Sequence, residues 1–387
     1  MIFTDAFIFQ GENGFIKGSL RVCGDRIQEI LQDPAGGSSG HCAGRAADEQ
    51  VISLKGGCVL PGLVDIHTHG NSGHDFSDAS EEGLYSMGRY MAHHGITSFL
   101  PTSMTLPYDR LEAAFQTAAR YMEDPPEDGA RILGVHMEGP YFSEKKKGAQ
   151  NSAYLKLPDS EGFLHLQEKC GGIIRIVDVA PELEGAQEFI RSAASVCRVS
   201  VAHTDASYEE TVSAFEAGAS HVTHLFNAMP SIHHRRPGVI GAACEREDVA
   251  AELICDGLHI HPSVVRMAFR LFPGRICLIS DSLRCCGMPD GVYELGGQDV
   301  TLSEGQARLA DGTIAGAAAN LYEDLVHAIR FGIRVEDAVC AASLNPARQA
   351  GMDAEVGSLD EGKKADFLVC DADWNLQQVY IGGRRIR

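Results

Sequence analysis

The sequence predicts an α/β fold: a TIM (β/α)8 barrel with a small β-sandwich domain built from both chain ends. Three observations predict it. Eight short apolar, β-branched-rich runs succeed one another in the middle of the chain. Most are separated by amphipathic stretches of helical period, and five of them end in His, Glu or Asp.

From the N-terminus, residues 1–58 alternate short apolar runs with Gly and polar turns, as in Gly18 to Leu31, which is a hairpin-rich β pattern. Within them Ala35 to Gly44 reads as a Gly- and Ser-rich loop. The eight central runs fall near 59–66, 96–100, 131–137, 173–179, 198–202, 220–223, 250–255 and 275–280. Helical stretches are expected at Glu81 to His94, Leu111 to Met122, Ala186 to Val196 and Tyr208 to Ala217. Eight βα repeats within about 225 residues suit a closed barrel better than an open doubly wound sheet. Residues 355–387 return to the β style, in Ala365 to Asp371 and Val379 to Ile386, so the two ends are expected to share one small β domain around a barrel of residues 59–354.

Composition narrows the function. A chain of 387 residues with 44% hydrophobic content can bury a large core. Its formal net charge of −20 argues against nucleic acid or an anionic membrane surface as partner. Twelve scattered cysteines without a CxxC pair read as reduced thiols in a cytoplasmic protein. The first residues carry no basic stretch, and no window approaches eighteen apolar residues, so neither secretion nor membrane spanning is expected.

The first run ends in His67 and His69, which share a face of the strand. The third ends in Val135-His136-Met137-Glu138, the fifth in His203, the sixth in His224 and the eighth in Asp281. In a barrel all strand C-termini meet at one mouth. Four histidines, a glutamate and an aspartate at one mouth can hold one or two divalent transition metals and leave a carboxylate for proton transfer. Zinc or iron comes first among the candidates, one or two ions per subunit.

At these residues the chain resembles the amidohydrolase superfamily and, within it, the sugar-phosphate deacetylases. The likeness rests on Pro61 to Gly70, on His136-Met137-Glu138-Gly139-Pro140-Tyr141, on Lys146-Lys147-Gly148-Ala149 and on Ala202-His203. It continues through Thr223 to Pro230, Asp256 to His259, Ser280-Asp281 and Gly357 to Asp366. The resemblance implies that His67 and His69 hold one metal and His203 and His224 the other, with Glu138 bridging. It implies Asn227, the backbone of Ala228, Arg235 and His259 at a sugar-phosphate site, with the arginine reaching into a neighbouring subunit of a homodimer. The implied reaction is deacetylation of N-acetylglucosamine 6-phosphate by metal-activated water, with Asp281 as general base and then acid. The family has His where this chain has Gln150, a position near the substrate in relatives, which makes N-acetylgalactosamine 6-phosphate the rival substrate. A silent sugar-phosphate sensor is the rival outside enzymes, and it would be expected to have lost a ligand or the base.

Other polar clusters read as structural. His93-His94 close a helix, where an imidazole suits the C-terminal dipole. His74, Asp75 and Asp78 read as loop structure, and Lys145 to Lys147 as a solvated loop beside the site. Gly357 to Lys363 imitates a phosphate loop, but Lys364 stands where Ser or Thr is needed. His136 is expected to support the ligands from behind.

Overall fold

The structure, a computed structural model, describes residues 1–33 and 49–387, so the Ala35 to Gly44 loop lies outside the described residues. The barrel strands are β1 (Leu63–Thr68), β2 (Ile96–Ser103), β3 (Val135–Met137), β4 (Ile174–Val179), β5 (Arg198–Val201), β6 (His221–Val222), β7 (Ala250–Ile254) and β8 (Ile276–Ile279). They pair in parallel and in chain order. Between β8 and β1 the ring closes at its mouth, where the Asp281 N–H donates to the His67 carbonyl and the His69 N–H to the Ser282 carbonyl, each at 2.9 Å. Just below, Ser280 Oγ donates to Asp65 Oδ2 at 2.6 Å.

Burial on both faces explains why these strands read as continuous apolar runs. Val64, Ile66, Leu100, Ile176, Ile254, Cys277 and Ile279 form one buried cluster. The flanking helices start where short polar side chains can satisfy free N–H groups. Ser80 Oγ accepts from the Gly83 N–H ahead of Glu81–His93, and Ser207 forms a capping box with Glu210 ahead of Tyr208–Ala217. His94 caps the first of these helices, with Nδ1 2.7 Å from the Tyr90 carbonyl and its ring stacked on Tyr90.

Gly88 of that helix shows how tightly the layer packs. A Cβ there would stand 2.1 Å from Tyr121 Oη, whose hydroxyl donates to the Ala130 carbonyl at 2.7 Å. Helix propensity alone favours Ala over Gly by about 1 kcal/mol. Overpacking outweighs it here: Gly88→Ala is expected to destabilise by about 1–3 kcal/mol, read as a lowered denaturation midpoint. A raised midpoint would show that Tyr121 relocates freely.

Both chain ends enter one seven-stranded sheet, in which Val51–Pro61 lies between Ile2–Phe9 and Phe367–Cys370. Its aromatic contacts bring together residues far apart in sequence: Phe367 stacks on Tyr380 at 4.4 Å, and Phe3 meets both rings edge-on at 4.9 Å. A four-stranded antiparallel sheet spanning 291–317 follows β8, an insertion that the eight-run reading does not contain. Its last strand, Ile314–Ala317, is tied to the mouth by the Ala317 N–H, which donates to the Asp281 carbonyl at 2.9 Å. No helix among the described residues is long and apolar enough to cross a membrane.

Candidate active site

His67, His69, Glu138, His203, His224 and Asp281 converge at the strand C-termini, all buried. Local backbone aims several of them. His203, His224 and Asp281 have positive φ, at 43°, 30° and 49°, which turns the chain sharply as it leaves the strand. Such strain persists only where surrounding structure holds it, and it clusters at functional sites.

Glu138 lies at the centre. Its Oε1 stands 3.1 Å from His203 Nε2, 3.2 Å from His224 Nε2 and 3.6 Å from His67 Nε2. Oε2 faces His69 Nε2 at 3.5 Å. Two sets therefore form around one carboxylate, His67–His69–Glu138 and Glu138–His203–His224, the ligating atoms of each lying within 4.8 Å of one another. Asp281 Oδ1 flanks the first set, 3.3 Å from His69 Nε2 and 3.6 Å from His67 Nε2.

The ring tautomers fit a cation. His203 Nδ1 donates to the Lys146 carbonyl at 2.9 Å, His69 Nδ1 to the Thr102 carbonyl at 3.1 Å, and His67 Nδ1 to Glu252 at 2.9 Å. In its neutral form each of these rings would present the Nε2 lone pair towards Glu138. His67 Nε2 is fully buried without a hydrogen-bond partner, and His203 Nε2 and His224 Nε2 face each other at 3.1 Å. Ring nitrogens that converge in this way on one buried carboxylate are a donor set that suits a divalent metal.

The electrostatics agree with this picture. Burial pushes the Glu138 carboxyl up, but bonds to His203 and His224 outweigh it and hold the group well below the usual range. Burial lowers His67 well below the ordinary imidazole value, a neutral ligand form. Burial also acts to lower His69, yet the bond to Asp281 and the charge of Glu138 win and raise it to about 9. His203 is shifted the same way, since burial acts to lower it but its bond to Glu138 and the charge of that carboxylate raise it.

A cleft of about 300 Å³ opens on these groups, lined by His69, Glu138, His203, His224 and Asp281, and further out by Gln150, Asn227, Ala228, His259 and residues 313–316 of the inserted sheet. Gln150 Oε1 accepts from the Thr105 N–H at 2.8 Å, which turns its amide NH2 onto Glu138 Oε2. His259 Nδ1 donates to Asp256 at 2.7 Å, leaving Nε2 for a ligand. Gln298 of the insertion donates to the Ala149 carbonyl at 2.6 Å, fixing the loop that carries Gln150.

Arg235 is not brought into this cleft within its own chain. It is exposed, with Nη1 2.6 Å from His234 Nε2, beside a neighbouring groove shared with His233, Arg236 and Tyr208. His74 and Asp75 keep to the loop, where Asp75 caps a short 3-10 turn. His136 does not reach the cleft: its ring bridges the Ile66 carbonyl and Asp178 inside the barrel. Sequence reasoning missed Glu252 and the lining contributed by residues 313–316. Glu252 had left a signal, as the one charged residue in the buried run Val249 to Ile254.

The chain matches the Amidohydrolase family over residues 58–386. It is 40% identical over 321 residues to the N-acetylglucosamine-6-phosphate deacetylase of Bacillus subtilis (strain 168), covering 81% of each chain. It is 35% identical over 329 residues to the N-acetylgalactosamine-6-phosphate deacetylase of Escherichia coli O157:H7, covering 84% of this chain and 87% of that one. Among solved structures, a mutant N-acetyl-D-glucosamine-6-phosphate deacetylase from Mycobacterium smegmatis in complex with N-acetyl-D-glucosamine-6-phosphate superposes with a TM-score of 0.90 at 30% identity, over 100% of this chain and 99% of that one. The N-acetylglucosamine-6-phosphate deacetylase of Pasteurella multocida superposes at 0.91 and 28% identity, over 99% and 98%.

Proposed function

The chain belongs to the amidohydrolase family, and from that premise we propose that it hydrolyses the acetamide of N-acetylglucosamine 6-phosphate to acetate and glucosamine 6-phosphate. The observation that carries this reading is the complete set of four imidazoles and two carboxylates opening on a cleft with polar groups along its outer wall. His67, His69 and Glu138 would hold one divalent ion, and His203, His224 and Glu138 a second, with zinc or iron the first candidates. A divalent ion bound there supplies Lewis acidity, polarising the amide carbonyl and lowering the pKa of a coordinated water from 15.7 towards about 7.

The chain's own residues supply the rest. Asp281, on the cleft wall, accepts the proton of the attacking water and returns it to the nitrogen as the carbon–nitrogen bond breaks. Asn227, the Ala228 backbone and His259 hold the sugar phosphate, and the Gln150 amide offers a neutral donor beside Glu138. Arg235, outside its own chain's cleft, is assigned to the phosphate bound by the neighbouring subunit of a cytoplasmic homodimer. Arginine suits this role through its paired donors.

The test is acetate release from N-acetylglucosamine 6-phosphate, run beside the galactosamine epimer and the unphosphorylated sugar. Preference for the first supports the reading. Preference for the epimer would transfer the assignment to N-acetylgalactosamine 6-phosphate, which Gln150 and the 35% identical Escherichia coli relative make the second reading. No turnover of either by metal-loaded protein would sink both.

Arg235→Ala is expected to raise KM for the phosphorylated sugar by about 10–100-fold, the loss of one charge-assisted contact. Turnover of the unphosphorylated sugar should not change. An equal effect on both sugars would remove Arg235 from the phosphate.

A further inference from the structure

Beneath the mouth the barrel interior holds a second polar layer that the proposed reaction does not use. Glu252, His136, Asp178, His221, Thr223 and Ser200 are all fully buried. Most bond to one another: Asp178 accepts from His136 at 3.0 Å and from Thr223 at 2.9 Å, and Ser200 lies 2.7 Å from Thr223 and 3.1 Å from His221. Glu252 alone reaches upward. Its Oε2 accepts from His67 Nδ1 at 2.9 Å and from the His224 backbone N–H at 3.2 Å, while Oε1 has no hydrogen-bond partner.

A neutral imidazole has one N–H, so whatever accepts it at one nitrogen decides that the other presents a lone pair. For His69 and His203 that acceptor is a backbone carbonyl, which no side-chain substitution removes. His224 Nδ1 has no hydrogen-bond partner among the described residues. His67 alone among the four is fixed by a side chain, and that side chain is a carboxyl group, the acceptor that most strengthens a ring as a metal ligand when ionised.

We propose that Glu252 is the positioning residue of the His67–His69 ion, setting the tautomer and basicity of His67 and so the occupancy of that site apart from the His203–His224 site. The inference rests on the two-ion reading given above. The two sites then differ in kind. Each site has one ring fixed by a backbone carbonyl, His203 in one and His69 in the other, and both share Glu138; only the His67–His69 site has its second ring fixed by a carboxyl side chain, from the middle of β7.

The experiment measures zinc per chain by mass spectrometry of dialysed protein, together with zinc-binding isotherms of the stripped protein. The wild type is expected to take two ions. Glu252→Gln keeps an acceptor for both N–H groups but removes the ionisable carboxyl. It should weaken one ion by about 10–100-fold and leave the other at wild-type affinity. Glu252→Leu should hold a single ion, and adding His67→Ala to it should cost no further zinc. The retained ion reports that each variant is folded; should Glu252→Leu not fold, Glu252→Gln decides. Two ions at wild-type affinity in both variants, or equal weakening of both ions, would overturn the role of Glu252. A wild type that never takes a second ion overturns the two-ion reading itself, and this inference with it.

Discussion

Asp281→Asn is expected to lower kcat by about 10²–10⁴-fold, the range for loss of a general acid–base group, with metal content and KM little changed. Its Oδ1 lies outside both ligand sets yet only 3.3 Å and 3.6 Å from His69 and His67, so a water held between those rings is within its reach. Asn is nearly isosteric and keeps an acceptor, but it cannot take a proton and hand it to a departing nitrogen. The Asp281 backbone donates to the His67 carbonyl and accepts from Ala317 whatever the side chain, so the seam of the barrel should survive the change. The measurement is kcat beside metal analysis of the same preparation. A near-normal rate would take Asp281 out of the mechanism, and lost metal would recast it as a ligand.

Glu138→Ala is expected to act more broadly, removing bound zinc from both sites after dialysis and taking kcat/KM to background. The carboxylate belongs to both triads, and it alone faces the ring nitrogens of all four histidines. Supporting residues behind a ligand are worth about 10–100-fold in metal affinity, so loss of a shared ligand should exceed that range. The four rings would then face one another across a buried space, with only Asp281 left beside His67 and His69. Zinc analysis of dialysed protein decides the matter: normal content with lost activity would show that Glu138 acts on substrate and that the histidines suffice as ligands.

Much of this molecule is legible locally. Ser207 and Glu210 announce the helix Tyr208–Ala217 because a capping box needs only residues three apart. His67 and His69 share a face because the strand period is two. The inserted sheet at 291–317 was less legible. Its strands alternate and face solvent on one side, a weaker pattern than the buried barrel runs around it. Glu252 escaped for the opposite reason, since it sits in the middle of a strand rather than at its end, and a search of strand ends passes over it.

By itself the sequence determined the barrel, the sheet shared by the chain ends and the residue types at each strand terminus. Those features follow from period, burial and stop signals within a few residues of one another. Only the tertiary structure decided which side chain holds which. The contact of His67 with Glu252 joins positions 185 residues apart, and that of His224 with Glu138 spans 86. Only the fold placed Arg235 outside its own cleft and turned the Gln150 amide onto Glu138 through the Thr105 backbone. Such pairings depend on closure of the ring and on the depth of each side chain within it, and no local pattern carries either.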